Sequence, residues 1–313
     1  MSREINLAVM VLSGPAERDE VERGIGLLEE EFASKAPGCR LRLIRDYLQD
    51  APSGTRLPYL PASDGFQAEI FTEAMSRGDI HYIWAARGGY GSSRWLHLVP
   101  WDDLPGKGPL LIGFSDITFI HSALMSFLGR PGLHAPMAIT YGDTSQESRA
   151  LLIKALASRM VPGLAGKTIV AGQAEGPLIG GNLSCLCHTI GTPWEPLWDG
   201  AILFLEDVNE PAYRIDRMLT HLRDAGVLER ISGLVLGRFA ATLQKGHSGR
   251  ADAVSGSLEE VIRDRLSGLS VPVVSSLPVG HGPGDNHPLY IGGRYRLSAP
   301  GPIAELIPLP SLG

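Results

Sequence analysis

The sequence LLIGFSDITFIHSALMSFL, residues 110–128, decides the fold of this chain because it joins a strand, a tight turn and a helix. Its first three apolar residues predict a buried strand, and the apolar spacing from Ile117 to Leu128 predicts the helix. Ser115 falls on the turn, where a hydroxyl is exposed and helix amides can face developing negative charge. A serine hydrolase presents its nucleophile in this way, although Ile117 replaces the second glycine of Gly-x-Ser-x-Gly. On this motif alone, capping of the next helix explains Ser115 equally well.

Strands and helices alternate through the first half of the sequence. Apolar runs predict strands at 7–12, 40–44, 82–85 and 110–114, and helical spacing predicts helices at 16–33, at 66–77 and after Ser115. Such alternation favours a parallel sheet with crossover helices, in which sites form at the carboxyl ends of the strands. We therefore expect an N-terminal α/β domain at residues 1–145 that carries Ser115.

The second half has more turns and more short strands. A helix at 148–158 and a loose stretch from Gly163 to Gly176 predict a linker at residues 146–176. Beyond the linker, strands are predicted at 202–205, 233–236, 271–274 and 290–297, with helices at 213–224 and 257–266. We expect residues 177–313 to form a mixed α/β, barrel-like C-terminal domain.

Composition excludes several classes of protein. The 313 residues are 44% hydrophobic and 20% charged, with a net charge of −6, which fits an ordered globular protein. An acidic chain without Lys/Arg clusters argues against nucleic acid or an anionic membrane as a partner. The three cysteines give no disulfide framework, and no apolar run is long enough for a signal-peptide core or a membrane span. These features predict a cytoplasmic protein.

A carboxylate and a histidine in the second half are candidates to work with Ser115. The predicted strand 202–205 ends in Glu206, where a carboxylate can hold an imidazole, and Glu210 competes for that role. His281 lies between two glycines after an apolar run, and its ordinary pKa suits proton transfer to and from a serine. His287 is its main rival, followed by His134 and His188, whereas His121 has the apolar neighbours of a packing residue.

A glycine-rich loop, RGGYGSS at residues 87–93, follows the predicted strand 82–85. It lacks the lysine and the spacing of a phosphate loop, but its glycines allow an amide to approach a bound carbonyl as half of an oxyanion hole. Arg87 can meet a substrate carboxylate through its planar guanidinium. A turn that merely starts the next helix is the alternative. No metal-binding spacing occurs, so neither a metal nor a cofactor is expected.

Several of these segments, taken together and in order, resemble the LD-carboxypeptidase family of serine peptidases, which includes muramoyltetrapeptide carboxypeptidases and microcin-immunity hydrolases. The segments are ARGGYG at 86–91, IGFSD at 112–116, LIGGNL at 178–183, LED at 205–207 with YRIDR at 213–217, and PVGH at 278–281.

The resemblance implies a Ser-His-Glu triad. Ser115 would be the nucleophile, His281 the general base and acid, and Glu206 the carboxylate that orients the imidazole. Amides of Gly89 and Asp116 would form the oxyanion hole, and the substrate-binding residues would be Arg87, Gly88 and Asn182. A homodimer is also implied.

The family's typical reaction releases the terminal D-alanine of a murein tetrapeptide at an L-to-D peptide bond. Two departures leave the substrate open: residues 64–69 lack an expected arginine, and a polar loop at 246–256 resembles an insertion. A related serine hydrolase that acts on peptidyl-nucleotide antibiotics would share the triad. A non-catalytic peptide-binding sensor is the third interpretation.

Overall fold

The computed structural model describes residues 2–48, 57–240 and 258–310, and the polar loop predicted at 246–256 lies outside them. The chain forms two compact units. The N-terminal unit comprises Met1–Pro162, Pro193–Pro196 and Pro283–Gly292, and the C-terminal unit comprises Gly163–Thr192, Leu197–Gly282 and Gly293–Gly313. The α/β fold class, with a mainly parallel sheet and a barrel-like second unit, is confirmed.

The N-terminal unit is built on a six-stranded sheet. In chain order its strands are β1 (Arg3–Met10), β2 (Cys39–Ile44), β3 (Tyr82–Ala85), β4 (Leu110–Ile112), β5 (Gly132–His134) and β11 (Leu289–Ile291). The spatial order is β11-β5-β4-β3-β1-β2, and all neighbours are parallel except β11 with β5. Every residue of β3 is buried, as expected for a central parallel strand.

Helices connect the parallel strands, and local sequence signals fix their ends. They are α1 (Arg18–Lys35), α2 (Asp64–Ser76), α3 (Ser92–Trp95), α4 (Thr118–Leu128) and α5 (Gln146–Ser158). In α1, Val21, Ile25, Leu28 and Phe32 recur at helical spacing, and all four are buried in the core of the unit. Helix α4 ends at Gly129, whose φ of +60° suits glycine.

The C-terminal unit is a closed barrel of seven strands among the described residues. They are β6 (Leu164–Val170), β7 (Gly172–Asn182), β8 (Ile202–Val208), β9 (Gly233–Ala240), β10 (Val273–Ser275), β12 (Arg294–Ala299) and β13 (Ile303–Pro308). Strands β7, β8 and β9 are parallel neighbours and bring the end of β8 beside β9. Helices α6 (Leu183–Cys187), α7 (Ala212–Asp224) and α8 (Leu258–Leu266) belong to the same unit, and residues of all three pack in its hydrophobic core.

Two predictions about the second half were wrong. The stretch from Gly163 to Gly176 is not loose, because it forms β6 and the first part of β7. The single strand predicted at 290–297 is two strands in two sheets: β11 pairs with β5, and β12 pairs with β7 and β13. Both errors concern pairing between distant parts of the chain, which a local sequence pattern does not report.

Candidate active site

Ser115 lies on a strained turn directly after β4. Its φ is +64°, in the left-handed region, which costs a residue other than glycine about 1–2 kcal/mol. A short 3₁₀ turn, Ser115–Ile117, leads into α4, and the serine is half-buried. Strain of this kind persists where surrounding structure enforces it, and it is concentrated at functional sites. The strand, turn and helix predicted around Ser115 are therefore present.

The glycine loop after β3 packs against Ser115. A Cβ atom added at Gly88 would lie 2.9 Å from Cβ of Ser115 and 3.1 Å from its Oγ, so glycine is the residue that leaves the serine its space. The amide of Gly14 donates a hydrogen bond to the carbonyl of Gly88 at 3.0 Å. Gly89 follows with a φ of +107°, which favours glycine. The predicted oxyanion loop and the predicted nucleophile are thus neighbours in this unit.

Arg87 opens the same loop and keeps most of its hydrogen-bonding capacity. Its Nη1 donates to the carbonyl of Pro15 at 2.6 Å. Its Nε is buried and has no hydrogen-bond partner among the described residues. A guanidinium carries five N–H donors, which suit the two oxygens of a carboxylate. The role of Arg87 in substrate binding stays a prediction.

Asp116 is buried next to Ser115 and accepts hydrogen bonds from two other segments. Its Oδ2 accepts from Oγ of Ser13 at 2.5 Å and from the amide of Ser92 at 2.8 Å. Burial raises the pKa of Asp116, and the hydrogen bonds from Ser13, Ser92 and the amide of Gly91 oppose that rise. The sequence pointed only to the amide of Asp116, because no local pattern shows that Ser13 and Ser92 meet its side chain.

Glu206 and His281 form a close pair in the C-terminal unit. Oε2 of Glu206 lies 2.5 Å from Nδ1 of His281 and also accepts a hydrogen bond from the His281 amide at 3.2 Å. The glutamate side chain is fully buried, whereas 15% of the imidazole is exposed. Two hydrogen bonds to one oxygen fix both the ring and its main chain. A carboxylate in this position holds the proton on Nδ1 and so makes Nε2 the basic nitrogen.

The end of β8 gives Glu206 its place. The pairing of β8 with β9 shifts register between Leu205 and Asp207, which puts an irregularity at Glu206. Bulges of this kind redirect side chains and are frequent beside active sites. Two glycines leave room there: a Cβ atom at Gly280 would lie 2.9 Å from Cβ of Glu206, and one at Gly237 would lie 3.3 Å from it.

Opposing effects set the pKa of His281. Burial, the largest single influence, lowers it, but the charge of Glu206, the hydrogen bond to Glu206 and the charge of Asp207 together outweigh burial. The pKa of His281 therefore lies above the ordinary histidine value of 6.5. The pair strengthens the imidazole as a base.

Asp207 and Asn182 join the ends of β8 and β7 through a hydrogen bond between their side chains. Burial raises the pKa of Asp207 to about 6, against hydrogen bonds from the amides of Val208 and Ser184 and from Nδ2 of Asn182. Oδ1 of Asn182 accepts from the amide of Cys185 at 3.1 Å and so caps α6. Asn182 is buried and has structural contacts, and its predicted role in substrate binding stays a prediction.

Glu206 and the alternative carboxylate, Glu210, have different contacts. Oε2 of Glu210, which precedes α7, lies 3.4 Å from Nη1 of Arg214 in the first turn of that helix, in a partly exposed ion pair. The carboxylate that contacts His281 is Glu206.

The rival histidines have other surroundings. His287 contacts Oγ of Ser148 through Nδ1 at 2.7 Å, and burial lowers its pKa. His134 is fully buried with its ring 5.5 Å from that of Phe114, and His188 lies on an exposed surface beside its own helix. Burial lowers the pKa of His121 to about 4, which keeps it neutral, as suits a packing residue.

The described ranges contain neither a metal-binding cluster nor a helix that could span a membrane. Across 2–48, 57–240 and 258–310, three or more His, Cys, Asp and Glu residues do not come together in an arrangement that could hold a metal ion. Within the same ranges, every helix is too short or too polar to cross a membrane.

Known proteins are similar to this chain in both sequence and fold. A murein tetrapeptide carboxypeptidase of Pseudomonas aeruginosa is 33% identical over 242 residues, 72% of this chain and 76% of that protein. The microcin C7 self-immunity protein MccF of Escherichia coli is 25% identical over 257 residues, 71% of this chain and 72% of that protein. The crystal structure of muramoyltetrapeptide carboxypeptidase from Oxalobacter formigenes superimposes with a TM-score of 0.79 and 30% identity, covering 97% of this chain and 98% of that one.

The matches extend over both units of the molecule. Residues 7–135 match the LD-carboxypeptidase N-terminal domain, and residues 175–297 match the LD-carboxypeptidase C-terminal domain. The first match contains the Ser115 turn and the glycine loop, and the second contains Glu206 and His281. The chain belongs to the LD-carboxypeptidase family and is a serine peptidase.

Proposed function

We propose that this protein is a carboxypeptidase that removes the terminal D-alanine of murein tetrapeptides by acyl transfer, with Ser115, His281 and Glu206 as its triad. The hydrogen-bonded pair of Glu206 and His281 carries the proposal. A fully buried carboxylate held on Nδ1 of a partly exposed imidazole is the arrangement that a general base needs. The strained Ser115 turn and the names of the relatives agree with it.

The proposed reaction has two steps. Ser115 Oγ attacks the carbonyl carbon of the L-to-D peptide bond while His281 takes the hydroxyl proton. The tetrahedral intermediate collapses, the C–N bond breaks, and the imidazolium gives its proton to the leaving amine of D-alanine. Water then attacks the acyl-enzyme with His281 again as base, which releases the shortened peptide and restores the serine.

Negative charge develops on the carbonyl oxygen in both steps. Amides of Gly89 and Asp116 are the proposed donors to it. The packing of Gly88 on Ser115 supports this assignment, because it brings the glycine loop beside the proposed nucleophile. Preorganised donors of this kind contribute about a hundredfold or more to turnover each.

Recognition of the free carboxylate of the substrate is assigned to Arg87. Its single hydrogen bond to the carbonyl of Pro15 and its buried, unpaired Nε among the described residues support this role. Arg87→Ala should raise KM for the tetrapeptide acid by about tenfold or more and leave hydrolysis of the C-terminal amide nearly unchanged, since a charged hydrogen bond contributes about 1.5–3 kcal/mol. The exposed Arg42 in the same unit is the control, and Arg42→Ala should leave both rates unaltered. Equal effects of Arg87→Ala on acid and amide would remove Arg87 from carboxylate recognition.

The alternative substrate is a peptidyl nucleotide, as in antibiotic immunity. The 25% identity to the microcin C7 self-immunity protein favours it, but the identity to the murein tetrapeptide carboxypeptidase is higher at 33%. Direct competition between a murein tetrapeptide and an aminoacyl sulfamoyl nucleoside decides between them. A higher kcat/KM for the nucleoside would reassign the substrate and leave the triad proposal intact.

The central test measures free D-alanine released from purified murein tetrapeptide. The wild-type protein should release one equivalent, and a tetrapeptide that ends in L-alanine should remain intact. Ser115→Ala and His281→Ala should each lower kcat by several orders of magnitude with the fold preserved, because triad members act as a unit. A fluorophosphonate should label wild-type Ser115 but not Ser115→Ala. Turnover by folded Ser115→Ala at the wild-type rate would end the proposal. The homodimer implied by the family is tested separately by sedimentation equilibrium.

A further inference from the structure

One buried carboxylate ties together three loops that follow different strands of the N-terminal sheet. Asp116 belongs to the turn after β4 and accepts from Ser13, which follows β1, and from the amide of Ser92, which lies near the end of the glycine loop after β3. The carbonyl of Asp116 also accepts from Oγ of Ser92 at 2.7 Å. Asp116 is 3% exposed, so water does not compete strongly for these donors.

The glycine loop needs these hydrogen bonds, because its own backbone can adopt many conformations. Gly89 and Gly91 have φ values of +107° and +137°, and glycine moves among backbone conformations more freely than any other residue. An amide that stabilises an oxyanion must lie about 2.7–3.1 Å from it, so a displacement of a few tenths of an ångström matters. The hydrogen bond from Gly14 to Gly88 holds one end of the loop. The contacts from Ser92 to Asp116 hold the other.

We infer that the side chain of Asp116 is a positioning residue that fixes the glycine loop against the Ser115 turn, so that loop amides meet the oxyanion of the reaction proposed above, on which this inference rests. The carboxylate acts through the loop and does not itself touch the substrate. The role is distinct from that of the Asp116 amide.

The hydrogen-bonding role and a purely electrostatic role predict opposite results when Asp116 is neutralised. A negative charge beside a forming oxyanion disfavours it, so removing the charge alone should speed turnover. Asp116→Asn also turns the charge-assisted hydrogen bonds from Ser13 and the Ser92 amide into weaker neutral ones, and an NH₂ group in the place of Oδ2 would lose both. The positioning role therefore predicts slower turnover in spite of the lost charge.

The experiment compares Asp116→Asn, Ser13→Ala and Ser92→Ala with a control, Asp102→Asn, which neutralises an exposed acid of the same unit. Fluorophosphonate titration counts functional sites, so that kcat refers to folded protein. We expect kcat per site to fall about a hundredfold in Asp116→Asn and about tenfold in each serine variant, with KM changed by less than about twofold. Asp102→Asn should match the wild type.

A peptide boronate, which forms a tetrahedral adduct with a serine, gives a second readout. Its inhibition constant should rise in proportion to the loss of kcat/KM across the variants, because both depend on the oxyanion donors. A role in stability alone would lower the number of titrated sites and leave kcat per site and the boronate constant at wild-type values, which would overturn the inference. A higher kcat in Asp116→Asn would overturn it as well.

The outcomes separate this inference from the proposed function. If Ser115→Ala is inactive and Asp116→Asn has wild-type kcat per site, only the positioning role fails. If Ser115→Ala stays active, the proposed function fails. If Asp116→Asn does not fold, Ser13→Ala and Ser92→Ala decide the question, since each removes one contact and leaves the buried acid in place.

Discussion

Replacing Glu206 by glutamine tests the pair on which the proposed chemistry depends. The carboxylate accepts two hydrogen bonds from His281, at 2.5 and 3.2 Å, inside a fully buried site. Only the bond to Nδ1 involves the imidazolium formed during turnover. If this charge-assisted bond contributes about 2–3 kcal/mol, its loss raises the barrier by that amount, or roughly a hundredfold in rate. A glutamine that turns its NH₂ group toward Nδ1 also stabilises the wrong tautomer, so the total loss in kcat should be about 10³–10⁴.

The assay follows D-alanine release by coupled oxidation, with thermal unfolding of each variant as the check on folding. Glu210→Gln is the matched control, because Glu210 lies four residues on and contacts Arg214 instead of His281. Its kcat should stay within about twofold of the wild type, since an exposed ion pair contributes little. A folded Glu206→Gln variant within tenfold of wild type would refute the reasoning, as would a larger loss in Glu210→Gln.

Three further predictions concern His281, Gly88 and Ser148. Because the pKa of His281 lies above 6.5, the acid limb of kcat/KM should have its midpoint above pH 6.5, and in Glu206→Gln this midpoint should move to lower pH, since only the charge of Asp207 then opposes burial. The contribution of the Glu206–His281 pair to stability should be complete below pH 6.5 and decline as pH rises through the raised pKa, which urea unfolding at several pH values checks. Gly88→Ala should lower kcat at least about tenfold with little change in stability, because the added Cβ would lie 3.1 Å from Oγ of Ser115. Steady-state kinetics, with thermal unfolding as the check on folding, measures this effect. Ser148→Ala should destabilise the protein by roughly 1–3 kcal/mol in urea unfolding, because buried Nδ1 of His287 loses its 2.7 Å partner; an unchanged midpoint would contradict it.

The N-terminal unit could be predicted from sequence because its signals are local. The apolar run at Tyr82–Ala85 forms a strand with those bounds. Helix α1 begins at Arg18, two residues after the start that its helical spacing predicts. The turn at Ser115 followed from the strand and helix on either side of it. Its left-handed backbone did not, because serine at this φ is held by neighbours that the sequence does not identify.

The barrel could be predicted only in outline because its pairing is non-local. Strand β6 contains Gly166, and a Cβ there would collide with the neighbouring β10 segment, so a residue typical of loops is required inside a strand. The N-terminal sheet has one non-local pairing of its own: Leu289–Ile291 pairs with β5 across about 155 residues, and no periodicity encodes that pairing.

Glycines beside the side chains of the proposed triad have a common physical reason in both units. Gly88 and Gly237 do not adopt a positive φ, so turn geometry does not require them. Each instead faces a side chain of the proposed triad: a Cβ at Gly88 would crowd Ser115, and one at Gly237 would crowd Glu206. Gly280 combines both demands, with a φ of +121° and close contact with Glu206. From the sequence, the glycines after Arg87 are expected to let an amide approach a bound carbonyl. The structure indicates that their lack of volume is equally important, since a methyl group at these positions would move the oxygen atoms on which the proposed proton transfer depends.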